Sequence, residues 1–200
     1  MVDEDWWSIL RALDEPVAPV KDGIGRESIL RAMVEGVMPP AVSAALNERL
    51  SRGEGYGLEV PRDFDPAPAQ GRFARLAERL SETYGYPCDS EMAQDSASLG
   101  SIWIPAEASR SRQKRTRIPL SLIVNVSKFG GLATYGASSP SDQKPYVHPD
   151  DRQRIEYALS GLGYLVVPEH ILATPYDGPN GWVFGPTADA TWFTRFFDYL

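Results

Sequence analysis

The sequence predicts an α+β fold: an antiparallel sheet of about four or five strands covered by helices, with a helical N-terminal portion. Three observations predict it. The run Ile118 to Ala137, IPLSLIVNVSKFGGLATYGA, is the longest dense apolar stretch. Leu120, Leu122, Val124 and Val126 share one parity and Ser121, Ile123, Asn125 and Ser127 the other, the period-2 alternation of a strand with one face on a core. Gly130-Gly131 divides the run, and glycine supplies the positive φ of a tight reversal, so the two halves read as the central hairpin. The second observation is residues 71–84, where Phe73, Leu76, Ala77 and Leu80 make one helical stripe with Arg72, Arg75, Glu78, Arg79 and Glu82 outside it. Arg75 and Arg79 each have a glutamate at i+3, worth a few tenths of a kcal/mol. The third is order: helical patterns come first and strand patterns mostly follow, which favours α+β over alternating α/β.

Taken in order, Trp6, Ile9, Leu10 and Leu13 lie on one face of a first helix, with Asp3 or Asp5 as its cap. Residues 15–25 are linker-like. Helices are expected over 26–37, with Ile29, Leu30, Met33, Val34 and Val37 as their stripe, and over 41–50 after Pro39-Pro40. The Gly-, Pro- and acid-rich stretch 53–70 is the best boundary candidate. The 200 residues therefore read as one domain, with 1–58 as a helical subdomain and 66–200 as the α+β body. Strands follow at 88–94 and 101–104, around a turn at 95–100. After the hairpin and a loop, His148-Pro149-Asp150-Asp151 starts a helix reaching Leu159. A short strand at 164–167, one helical turn at 168–172, a loop at 176–181 and a last strand at 182–184 complete the body. The terminal helix, from Asp189 or Thr191, carries Trp192, Phe193, Phe196 and Phe197 and must dock on the body or on another chain.

Charge and cysteine content bound the function. The formal net charge is −7, with 18 acids against 10 bases in residues 1–100 and 9 against 10 in residues 101–200. Such a balance opposes general nucleic-acid affinity and favours solubility, or the meeting of a basic partner. One cysteine, Cys88, excludes an internal disulfide framework and suits a reducing compartment. The acidic start MVDEDWWSIL lacks the basic and apolar regions of a secretory signal. No apolar run approaches the roughly 20 residues of a membrane helix. The expectation is a cytoplasmic protein with no membrane contact.

Chemistry-bearing residues are sparse. His148 and His170 lack metal-ligand spacing, so neither a metal nor a cofactor is expected. An enzyme would have to use His170 or His148 as a base with Asp177, yet His148 stands where a helix cap belongs and Asp177-Gly178 is a common turn dipeptide. A nucleophilic role for Cys88 needs a histidine brought close by the fold. The basic run 110–117, with Arg110, Arg112, Lys114, Arg115 and Arg117, is a candidate anion site, through which a nucleic-acid-associated protein would contact phosphates. It has no interleaved aromatics for base stacking. A solvated loop, or pairing with the acidic first half, are the alternatives.

The C-terminal strings Gly161-Leu162-Gly163-Tyr164, Leu165-Val166-Val167-Pro168-Glu169-His170-Ile171-Leu172, Tyr176-Asp177-Gly178 and Thr191-Trp192-Phe193-Thr194-Arg195-Phe196-Phe197-Asp198-Tyr199-Leu200 resemble small bacterial α+β immunity proteins of polymorphic-toxin systems. The resemblance covers roughly residues 118–200. It implies a non-catalytic job: tight binding of a cognate toxin and occlusion of its active site, with no active-site residue to carry over. An acidic inhibitor would be steered to a basic toxin. Its contact patch would combine acids with aromatic anchors, for which Glu59, Asp63 and Asp65 beside Tyr56 and Phe64 are the candidates. Docking of the terminal helix on a second copy, rather than on the body, would make a homodimer.

Overall fold

The computed structural model describes residues 3–16, 60–62, 64–93, 96–113, 117–138, 146–184 and 189–198. The helices expected over 26–37 and 41–50 lie outside these residues.

Helix α1 (Asp3–Leu13) places Asp3, Glu4 and Asp5 against its positive N-terminal dipole and buries Trp6 and Leu10. Helix α2 (Pro66–Tyr84) starts five residues before the predicted Gly71. Asp65 is its N-cap, accepting from the Ala67 N–H at 3.1 Å, and Pro66 occupies the first turn where no N–H partner is needed. Gly85, at φ 67°, ends it in the left-handed cap. Strands β1 (Asp89–Met92), β2 (Ser98–Ile104), β3 (Leu122–Ser127) and β4 (Leu132–Ala137) form an antiparallel meander. The turn expected over 95–100 is shorter. Ser98–Gly100 already belong to β2, because Ser96 Oγ takes the Ser98 N–H and tightens the reversal.

Helix α3 (Pro149–Ser160) then crosses over to β5 (Leu165–Val166), which pairs parallel with β4 through Leu132 and Ala133. The sheet is therefore mixed rather than wholly antiparallel, since a helical crossover returns the chain in the same direction. One turn, α4 (Glu169–Leu172), follows. Residues 181–183 form a 3-10 turn, not the expected strand. Helix α5 (Trp192–Phe197) is opened by a reciprocal Thr191–Thr194 capping box.

Alternation along the strands divides the interior. Ile102, Ile104, Leu122, Val124, Val126 and Ala133 pack under Phe73, Leu76, Leu80 and Tyr84 of α2 and Ile155 and Leu159 of α3. The opposite parity gives Leu132, which joins Phe129, Val167, Trp6, Leu10, Trp192 and Phe196 in a second core. The apolar C-terminal helix thus docks on the body, and α1 belongs to the same core.

Gly100 permits the first core to close. A Cβ there would sit 2.4 Å from the Glu91 carbonyl oxygen and 2.9 Å from the Phe73 ring. Backbone cannot yield as a flexible side chain would, so Gly100→Ala is expected to cost about 1–3 kcal/mol. A urea titration checks this, and an unchanged midpoint would contradict it.

Three hydroxyls record the same burial. Tyr84, Tyr135 and Tyr176 are each pushed above the ordinary tyrosine range, first by burial and then by Asp151, Glu156 and Asp14 respectively. The unfolded chain releases these protons near pH ~10 while the folded chain keeps them. Their contribution to stability is therefore complete below about pH 9 and falls as pH rises past ~10, by at most ~1.4 kcal/mol per pH unit for each tyrosine. Urea midpoints at pH 8 and pH 11 test the sign.

Candidate functional site

The site starts from where β5 stops. Val167 N–H donates to Ala133 O at 2.8 Å, continuing the parallel ladder by one step. Pro168 then turns the chain into α4, and the Thr134 hydroxyl, not the Tyr135 N–H, donates to Val167 O. The ladder ends there. On its other side β4 pairs with β3 as Asn125–Thr134 and Ile123–Gly136, and Ser138 N–H reaches Ser121 O. Even-numbered backbone groups thus face β3, and those of Tyr135 and Ala137 face away from it.

Beside this open half of β4 lies a cavity of about 1310 Å³. One wall is α3, with Arg152, Glu156, Tyr157 and Ser160; the other runs from Leu165 through His170, with Trp6 and Phe193 behind it. Tyr135 spans to the first wall and donates to Glu156 Oε1 at 2.5 Å. Arg79 of α2 lies 5.3 Å from the Tyr157 ring centroid, holding that ring by a cation–π contact. Three of the six large apolar side chains exposed among the described residues, Tyr146, Tyr157 and Leu165, line this groove. Tyr157, at 67% exposure, is the most open of them. The groove concentrates aromatic surface, one acid on each wall (Glu156 and Glu169) and an arginine.

The residues singled out by sequence are dispersed. Glu59, Tyr56 and Asp63 lie outside the described residues. Phe64 packs against the first core, and Asp65 is occupied in capping α2. His148 caps α3, its Nδ1 accepting the Asp150 N–H at 3.2 Å. His170 Nε2 stands 3.3 Å from Asp3, and Asp177 accepts from Arg11 at 2.7 Å. Among the described residues no hydrogen bond joins either histidine to Asp177 or to Cys88. Burial pushes the Cys88 thiol above its ordinary range, which lowers its thiolate fraction. No three His, Cys, Asp or Glu side chains among the described residues are grouped to share a metal ion. No helix among them is long and apolar enough to cross a membrane.

The basic run is better ordered at its base than a free loop. Asp151, fully buried at the start of α3, accepts from Arg110 N–H at 2.9 Å and Ser111 Oγ at 2.6 Å. The Arg110 guanidinium pairs with Asp150, an acid of the second half of the chain. Arg112 donates to the carbonyls of Ser109 and Ser111. Gln113 and Ile118 pair their backbones, and Arg117 closes the turn at φ 57°. Lys114 and Arg115 lie outside the described residues.

Sequence reading passed over Tyr135, Tyr146, Tyr157, Leu165 and Glu156. One signal was available: Tyr157 stands on the polar face of a helix whose buried residues include Ile155, Ala158 and Leu159. No protein-family model, curated protein or solved structure matches the chain.

Proposed function

We propose that this chain is a non-catalytic protein-binding protein of the immunity type, which binds a basic toxin and occludes it, and that the groove between β4 and α3 is its contact site. The observation that carries the reading is the gathering of Tyr146, Tyr157 and Leu165 on one groove. Scattered exposed apolar residues need no explanation, whereas clustered ones beside charged groups mark interaction surfaces. Tyrosine is among the residue types that dominate binding hot spots. The groove's volume exceeds the roughly 300–1,000 Å³ of small-molecule pockets, which favours a polypeptide occupant. The net charge of −7 supplies long-range steering toward a basic partner.

The test is affinity capture from nuclease-treated lysate of the source cells at moderate salt, followed by expression of the captured protein with and without this chain. A basic protein that is toxic alone and harmless in co-expression supports the reading. A captured protein that is harmless alone, or equally toxic with the chain present, overturns it.

A further inference from the structure

We infer that the partner enters the groove as an added strand, an extended segment hydrogen-bonded to the open edge of β4. This rests on the reading of the groove as a protein-binding site and specifies how that site would work. The outward N–H and C=O groups of Tyr135 and Ala137 stand two residues apart on one line, the repeat at which an adjacent strand presents its own groups. β5 already occupies the same line at Leu132 and Ala133, so the position of a neighbouring strand is set by the fold. Only an extended backbone satisfies such a row of alternating donors and acceptors, which is the basis of recognition by strand addition.

The sheet is edged by β1 on one side and, on the other, by the two-residue β5 and the half of β4 that β5 leaves uncovered. All four residues of β1 are exposed, and it carries Asp89 and Glu91, charges of the kind that protect natural edges against pairing. The open half of β4, Tyr135-Gly136-Ala137, bears no charge. It lies between α3 and the Leu165–His170 segment, walls that leave room between them for a single extended segment of a partner. Its side chains would alternate between the α3 wall and the Leu165–His170 wall. Glu156 and Glu169, one on each wall, outnumber Arg152 among the lining residues and select a segment carrying lysine or arginine.

The experiment selects binders to the full-length chain from a random displayed library of 12-residue peptides, then measures amide exchange of the chain with the synthetic winners. Peptides enriched in basic and β-branched residues, slowing exchange at the Tyr135 and Ala137 amides at least tenfold, are the expected result. Ala137→Pro deletes one outward donor without touching a β3-facing group, and is expected to weaken these peptides at least tenfold. Unchanged exchange at both amides, equal affinity in a folded Ala137→Pro, or slowing produced by the chain's own self-association would each overturn strand addition. The exchange measurement is made on the natural sequence, so it decides the matter even where the proline variant does not fold. Failure here with a toxin still neutralised would leave the protein-binding reading standing and remove only the strand.

Discussion

Replacing Arg195 by methionine is expected to destabilise the fold by about 3–5 kcal/mol, the usual consequence of leaving one member of a buried ion pair alone. Arg195 and Asp14 both have fully buried side chains, with Nε 2.7 Å from Oδ1. Asn180 Nδ2 donates to the same oxygen at 2.8 Å, and the Tyr176 hydroxyl donates to Oδ2. The guanidinium also lies 4.7 Å from the Phe129 ring centroid and 5.2 Å from that of Phe196. Without it, the Asp14 carboxylate keeps only neutral donors in a site closed to water. The double variant Asp14→Leu with Arg195→Met is expected to lie closer to the wild type than Arg195→Met alone, since it removes the orphaned charge as well as the pair. Urea midpoints of the three proteins measure this. The exposed pair Arg11–Asp177, with side chains 52% and 62% exposed, is the internal comparison. Its loss is expected to cost no more than about 1 kcal/mol. Equal effects at the two sites would contradict the account. The buried pair fastens the end of α1 to α5, and these helices carry Trp6 and Phe193 at the back of the groove.

The second large effect is on binding. Tyr146→Ala combined with Tyr157→Ala is expected to weaken partner affinity at least a hundredfold, at about 2 kcal/mol for each exposed anchor. Tyr157→Ala alone should cost about 0.5–1 kcal/mol of stability through the lost Arg79–Tyr157 contact. Titration of the captured partner, with a melting curve of each variant, separates the two effects. Unchanged affinity would remove the groove from the interface.

Most of the fold was legible because its signals are local. The 118–137 alternation, the stripe of α2, the His148-Pro149 start and the Gly130-Gly131 reversal all act within a few residues. The parallel β5 was not legible as such: two residues have no direction of their own, and only the α3 crossover gives them one. The 3-10 turn at 181–183 went the same way, since Trp182-Val183-Phe184 has β propensity while the neighbouring Asn180 is held by Asp14 and Glu15. Asp65 read as a recognition acid because its capping role depends on a helix start at Pro66 that periodicity placed later. The Asp14–Arg195 pair spans 181 positions, and Arg195 reads from sequence as the polar face of a terminal helix. The groove was least legible of all. It is made by the absence, among the described residues, of a neighbour beside half of β4, a property of topology rather than of any residue.

The most direct test of the central claim is hydrogen exchange of the chain alone and saturated with its captured partner. Protection gathered at residues 134–137 and along 152–160, with the exposed β1 edge unchanged, is the result predicted. Protection confined to Asp89–Met92 or to the basic segment around Arg110 and Arg117, with the groove exchanging as in the free chain, would contradict it.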